Sequence, residues 1–426
     1  MPQRSFLGDM LTTIFERARY RTSASDSRSI EEMCEALLDA EGEVSGITLA
    51  QAILARYETL PEDEKLTFFS FLNSGLEIDL AALEDAIDQY KTTHAISDYH
   101  EIGYHAEPRR QELLRRLNQP PGATLALVKM RTDLLKAVKQ DPELARTDMD
   151  FRHLLRSWFN RGFLVLRQIS WQTPASILEK IVEYEAVHAI QDWDDLRRRL
   201  YPEDRRCFAF FHPAMPDEPL IFVEVALTQN VPDSIQRVLS ETREQRAAHD
   251  TKVAVFYSIS NCQAGLKGVS FGNLLIKQVV AELRQELPGL QTFVTLSPIP
   301  RLKTWLAKHA ENPEFAAVID GTAAPDDIRN AAATYLLSAK TDTGAPFDPV
   351  ARFHLGNGAQ IYAVHGAADL SANGIKQSAG AMVNYEYDLK LIEQNHERFV
   401  QDGTISTSSG FRPNVTTNTK KRRVQA

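Results

Sequence analysis

The residues best suited to chemistry gather between positions 253 and 387. A strand-like run, Val253–Ser260, feeds a glycine-studded loop, Gly265-Leu-Lys-Gly-Val-Ser-Phe-Gly272, and a helical stretch from Asn273 to Leu287 follows. A glycine loop between a strand and a helix can cradle an anion, because backbone N–H groups and the positive end of the helix converge there. Gly265, Lys267, Gly268, Val269, Ser270, Phe271, Gly272 and Asn273 are therefore the candidate pyrophosphate-binding residues, with Lys267 able to add a charge. The loop lacks the Gly-Lys-Ser/Thr ending of a P-loop and the full dinucleotide fingerprint. A long acyl carrier such as coenzyme A, its pyrophosphate at the start of the helix, fits better than either of those ligands.

Downstream of the helix, Thr292–Leu296 reads as a strand and Ser297 precedes Pro298, which favours an extended backbone at the serine. No Gly-x-Ser-x-Gly surrounds it, so positioning a substrate oxygen suits Ser297 better than nucleophilic attack. His354, in an apolar stretch that ends in Gly356-Asn-Gly358, is a candidate general acid, since imidazole titrates near neutral pH. Tyr387 closes the set. Taken singly, the loop is an ordinary turn, His354 a core histidine and Tyr387 a packed aromatic.

These groups need a scaffold, and the chain divides into two characters. Residues 1–26 are polar and Ser/Arg-rich and read as a loose arm. From 27 to 160 the pattern is helical: Ile30, Met33, Leu37 and Leu38 follow the cap candidates Ser27 and Ser29. Further helices are predicted over Thr48–Thr59, Pro61–Leu72, Glu77–Lys91, Pro108–Leu117, Thr124–Gln140 and Phe151–Phe159. From 161 to 400 strands and helices mix. Strands are expected at Gly162–Ile169, Cys207–Phe211, Leu220–Ala226 and Gln360–Val364, with Phe353–Leu355 assigned to the same strand region as the last. A helix is expected behind Thr173-Pro174, another near Ser234–Gln245, and a further element begins at Ala379. The fold class is thus multidomain, an all-helical first domain followed by an α+β domain with a central sheet. Residues 401–426, with the basic Lys420–Arg423, read as a disordered tail.

Composition narrows the function. At 426 residues, 43% hydrophobic and 25% charged, the chain is an ordinary globular protein. A net charge of -9 argues against broad nucleic-acid binding. Cys34, Cys207 and Cys262 are dispersed, match no zinc spacing and suit a reducing compartment. Neither a transmembrane run nor a signal core is read, and the end is not a peroxisomal Ser-Lys-Leu, so a cytoplasmic protein is expected.

Taken together, several segments in order closely resemble the malonyl-CoA decarboxylase family. They are Glu185-Ala-Val-His-x-Ile190, Glu218-Pro-Leu220, Val225-Ala-Leu-Thr228, Phe256-Tyr-Ser-Ile-Ser260, Gly265-Leu-x-Gly-Val269, Leu275-Ile-Lys277, Leu296-Ser-Pro-Ile-Pro300, Phe353-His-Leu with Asn357-Gly358, and Asn384-Tyr-x-Tyr387. The resemblance implies a helical oligomerisation domain, forming a homodimer or homotetramer, and a catalytic domain like the GNAT acetyltransferase fold. It implies malonyl-CoA as substrate, cleavage to acetyl-CoA and carbon dioxide, and no metal or biotin cofactor. The family's catalytic serine, histidine and supporting tyrosine fall on Ser297, His354 and Tyr387. One position departs: Ser270 stands where the family carries a glutamate, so either that carboxylate is dispensable or another group, such as Glu224, supplies its role. An acyl-CoA-dependent N-acyltransferase and a non-catalytic malonyl-CoA sensor remain as alternatives.

Overall fold

Amphipathic spacing is realised as a helical unit. In the computed structural model, which describes residues 26–269 and 272–412, the chain forms two compact units. Among the described residues the first comprises 26–165, 211–218 and 263–269; the second 166–210, 219–262 and 272–412. Most of the arm, the basic tail, Ser270 and Phe271 lie outside the described residues.

In the first unit, Ser29 opens helix Ile30–Leu38 with a capping box: its Oγ accepts from the Glu32 N–H and the Glu32 carboxylate accepts from the Ser29 N–H. Helices Glu43–Thr59, Glu62–Ser70, Arg109–Leu117, Ala123–Ala137 and Ala145–Trp158 pack Ile53, Phe68, Leu72, Leu113, Leu127, Leu134 and Phe151 into one core. By length and composition Glu62–Thr93 is apolar enough to cross a membrane, contrary to the sequence expectation. Here Phe68, Phe69, Leu72 and Leu76 of that stretch are buried in the domain core. Leu80–Thr93 and Ile96–His105 form a hairpin that packs mainly on itself. The second of these helices was not predicted, and it buries no residue.

The second unit is built on an eight-stranded mixed sheet: β1 (Val165–Ile169), β2 (Arg205–Phe211), β3 (Ile221–Thr228), β4 (Val253–Asn261), β5 (Thr292–Thr295), β6 (Ser297–Pro298), β7 (Gln360–His365) and β8 (Met382–Glu386). The order is β1-β2-β3-β4-β5-β8-β6, with β7 on β8. This is the α+β architecture expected. β4 and β5 are parallel, which requires a crossover, and helix Gly272–Glu286 supplies it. Their pairing ends at Phe256 and Thr295, with one further bond from the Leu296 N–H to the Phe256 carbonyl at 3.0 Å. Beyond that point β4 continues to Asn261 with no strand on this side among the described residues. A β-bulge interrupts β3–β4: Val225 pairs with Phe256 but Glu224 with Ser258, leaving Tyr257 as the extra residue.

Three expectations are corrected. Phe353–Leu355 is helical, inside Pro349–Gly356, because Asp348 caps it by accepting from the N–H groups of Val350 and Ala351 while Pro349 takes the first helical position. The helix near Ser234–Gln245 spans only Ile235–Leu239. Behind residue 173 the cap position falls on Pro174, and the Thr173 hydroxyl instead accepts from the Ser170 N–H. The end of the Pro349–Gly356 helix rests on helix Ile392–Asp402: His396 Nδ1 donates to the Gly356 carbonyl at 2.7 Å and Asn395 Nδ2 to the Gly358 carbonyl at 3.3 Å. Gly358 has φ +86°, and a Cβ there would lie 2.0 Å from the Ile392 carbonyl oxygen, so only glycine fits. Residues just beyond, placed in the tail by sequence, bond to β7: the Ser408 N–H donates to the Ile361 carbonyl and the Ile361 N–H to the Ser406 carbonyl.

Candidate active site

Ser297, His354 and Tyr387 are 57 and 33 residues apart along the chain, yet their side chains form one line. Ser297 opens β6, paired with Val383 of β8. His354 sits in the last turn of its helix, and Tyr387 follows β8, its N–H donating to the Phe293 carbonyl of β5. His354 Nε2 lies 3.2 Å from Ser297 Oγ, and Nδ1 lies 2.7 Å from the Tyr387 hydroxyl. Ser297 Oγ–H donates to Thr295 Oγ1 at 2.8 Å. All four residues are buried, Ser297 the most open at 5%.

Aromatic rings pack around the line. Tyr385 stacks on the His354 imidazole with centroids 4.7 Å apart, and Phe256 meets Tyr387 edge-on at 6.4 Å. The Tyr385 hydroxyl and the Asn357 amide, both buried, find no hydrogen-bond partner among the described residues. Asn357 nevertheless comes close enough to Tyr387 to favour its ionised form, short of full hydrogen-bond geometry. Burial alone pushes the His354 imidazole down to about 3, and burial drives the Tyr387 phenol well up. Both groups are therefore neutral at ordinary pH.

Glu224 does not join them. Because Val225 shares a face with Phe256, the neighbouring Glu224 points to the opposite side of the sheet. There it lies 3.1 Å from the Arg199 guanidinium. Burial and the nearby Glu185 outweigh Arg199 and push the Glu224 carboxyl up to about 8. Glu185 accepts from the hydroxyls of Ser258 and Ser260, and Arg199 also pairs with Asp195 at 3.0 Å.

The glycine loop up to Val269 belongs to the helical unit. A Cβ at Gly265 would lie 1.9 Å from the Val128 carbonyl oxygen, so this glycine is required by close packing. Arg131, 1% exposed, donates to the carbonyls of Gly265 at 2.7 Å and Lys267 at 2.9 Å, and its charge is paired with Asp148. The N–H groups of Leu266, Lys267 and Val269 are spent on carbonyls within the loop, so the simple cradle read from sequence is partly closed. Gly268 adopts φ +80°, and Gly272 and Asn273 open the crossover helix. Among the described residues, no three His, Cys, Asp or Glu side chains gather as a metal site.

Comparison with known proteins decides the family. Residues 162–324 and 321–425 match the malonyl-CoA decarboxylase C-terminal domain, and residues 76–159 match the malonyl-CoA decarboxylase N-terminal domain. The chain belongs to the malonyl-CoA decarboxylase family. It is 34% identical over 351 residues to the mitochondrial malonyl-CoA decarboxylase of Anser anser anser, covering 72% of this chain and 69% of that protein. Among solved structures, the malonyl-CoA decarboxylase from Rhodopseudomonas palustris superposes with a TM-score of 0.84 at 50% identity, covering 89% of this chain and 97% of that one. The malonyl-CoA decarboxylase from Agrobacterium vitis gives a TM-score of 0.85 at 47% identity over the same shares. Malonyl-CoA decarboxylases are carboxy-lyases, and this chain is an enzyme of that class.

Sequence reasoning missed Thr295 and Tyr385. Tyr385 lies inside Asn384-Tyr-x-Tyr387 but was passed over for Tyr387, Thr295 lies just before Leu296-Ser-Pro-Ile-Pro300, and each acquires its place through a distant partner.

Proposed function

We propose that the protein decarboxylates malonyl-CoA to acetyl-CoA and carbon dioxide, with His354 as proton donor and Ser297 holding the malonyl carboxylate. The supporting observation is a buried line of neutral groups, Tyr387–His354–Ser297–Thr295, into which the substrate brings the only negative charge. Decarboxylation moves the pair of electrons of the breaking C–C bond into the thioester carbonyl, leaving an enolate. An uncharged pocket favours that dispersed transition state over a localised carboxylate. The enolate carbon then takes one proton, which solvent must return to the enzyme.

The free imidazole is neutral, so it becomes an acid only when the substrate carboxylate lies beside it and raises its proton affinity. Nε2 faces Ser297 and is the nitrogen placed to deliver the proton. Tyr387 suits both states of the ring, because a hydroxyl can donate to bare Nδ1 or accept from Nδ1–H. The open edge of β4 at Ser258–Asn261 offers main-chain groups to the amides of the carrier arm. The helix start at Gly272–Asn273 is assigned to its pyrophosphate.

The test is to incubate purified protein with malonyl-CoA alone and follow acetyl-CoA, carbon dioxide and free thiol together. Equal acetyl-CoA and carbon dioxide without thiol is expected, unchanged by a chelator. His354→Asn should lower kcat by about 10²–10⁴-fold while acetyl-CoA binding persists. Near-full turnover in His354→Asn would remove the histidine from its role, and thiol release without carbon dioxide would point to acyl transfer or hydrolysis.

The helical unit carries a further part of this proposal, self-association. In the hairpin, Ile96 is 88% exposed, Tyr104 70%, Tyr99 66% and Leu80 65%, while only Ala86 is buried. Two short helices do not hold together on so little burial, and a second copy of the hairpin would cover the same face on both.

A further inference from the structure

The hydrogen-bond ladder of β8 has a gap. β8 pairs with β5 at Val294↔Glu386 and with β6 at Ser297↔Val383, and between these points Leu296 turns its N–H to β4. The Tyr385 N–H falls in this gap, and a side chain fills it: Thr295 Oγ1 accepts from that N–H at 3.1 Å. The same oxygen accepts the Ser297 hydroxyl proton at 2.8 Å, and the Thr295 carbonyl accepts from Asn384 Nδ2 at 2.7 Å. Thr295 is wholly buried. The hydroxyl that receives the serine proton is thereby fastened to the main chain of β8, the strand whose Tyr385 ring stacks on His354.

Counting protons along the line shows what this fastening does. A serine hydroxyl has one proton to give. If Ser297 gives it to Thr295, then Ser297 must accept from His354, so the ring proton of the neutral imidazole sits on Nε2. Nδ1 is then bare and accepts from the Tyr387 hydroxyl. Were Ser297 to donate to Nε2 instead, the ring proton would move to Nδ1, and the second proton that makes the ring an acid would have to enter at Nε2, the side the substrate covers, instead of at Nδ1 beside Tyr387.

We infer that Thr295 is a positioning residue for the decarboxylation, selecting the Nε2–H tautomer of His354 and parking the Ser297 hydroxyl until the malonyl carboxylate takes it over. When Ser297 turns to the substrate, the threonine reverses the bond and donates its own proton to Ser297 Oγ, so the serine oxygen stays satisfied in both states. The inference rests on the reading of Ser297 and His354 as the reacting pair. A misdirected tautomer is costly where a histidine must hold its proton on one defined nitrogen.

The experiment uses full-length protein with ¹⁵N-labelled histidine, the His354 signals being identified by their loss in His354→Asn. In the wild type, Nε2 should give a protonated and Nδ1 an unprotonated nitrogen shift. Thr295→Val should shift the proton toward Nδ1 and lower kcat by about 10–100-fold, a part of the full tautomer penalty, with KM for malonyl-CoA changed less than about threefold. Thr295→Ser, which keeps the hydroxyl, should restore kcat to within about threefold of wild type. A wild-type ring protonated on Nδ1 would overturn the inference. So would an unchanged kcat in Thr295→Val, or equal losses in the valine and serine variants. Should the valine variant not fold, the wild-type spectrum decides by itself. Full turnover in His354→Asn would instead strike the reaction assignment and leave the tautomer result standing.

Discussion

On one face of the sheet Tyr387, His354, Ser297 and Thr295 are joined by hydrogen bonds between neutral groups. On the other, Arg199 spans Asp195 and Glu224 and donates to the carbonyls of His188 and Ala189. Both clusters are buried, and the bulge at Tyr257 lets β3 and β4 serve both faces. In the charged cluster the Arg199 guanidinium is engaged by Asp195, Glu224 and two backbone carbonyls, while one buried Glu224 oxygen has no partner among the described residues. The neutral one has no charge to answer and can take up a carboxylate and a proton. Burial of polar groups thus serves structure on one side and, in the proposed reaction, chemistry on the other.

The largest expected contrast comes from cutting each cluster at its centre. Arg199→Ala should cost about 3–5 kcal/mol of stability, read as a urea midpoint, while the folded fraction keeps its turnover. Loss of turnover in fully folded Arg199→Ala protein would break the comparison. Tyr387→Phe should do the reverse, reducing kcat by about fivefold for one lost hydrogen bond of about 1 kcal/mol and moving the midpoint little. Unchanged kcat would deny the tyrosine its orienting role.

Stability against pH separates the faces by sign. His354, pushed down to about 3, is below its ordinary 6.5, so the unfolded chain binds the proton first as pH falls. Its contribution is complete above about 6.5 and is lost on the way down to about 3. Glu224, pushed up to about 8 from 4.5, holds its proton in the folded state, so its contribution is complete below 4.5 and is lost as pH rises through 8. Urea midpoints should therefore show His354→Asn flattening the acid limb and Glu224→Gln flattening the alkaline limb, each by at most about 1.4 kcal/mol per pH unit. The same limb flattened by both variants would contradict the assignment. The smallest effect on turnover is expected in the helical unit, where Ile96→Asp should lower the mass measured by light scattering with kcat within about twofold, as for a surface change away from the reacting groups.

The strand–loop–helix over residues 253–287 was legible because alternation, glycine and helical spacing each act locally. The His354 helix was misread since Phe-His-Leu is apolar enough for a strand, although Asp348-Pro349 is a start signal visible in the sequence. Ile96–His105 was overlooked because its apolar residues face outward. Ser297, His354 and Tyr387 were gathered by family resemblance, and no local spacing could have joined them. Thr295 was beyond reach for a different reason: its role exists only through Tyr385, 90 residues away on a strand whose ladder happens to be interrupted there.

Helix Ile392–Asp402, which accommodates the end of the His354 helix through His396 and Asn395, ties the His354 imidazole to the last part of the described chain. A chain ending before residue 392 would keep every proposed reacting group and still leave the Gly356 and Gly358 carbonyls without these donors. Helix Ile392–Asp402 is, in effect, the back wall of the helix that carries His354, and a nested series of shortened chains would measure how firmly that wall must hold for the imidazole to keep its place.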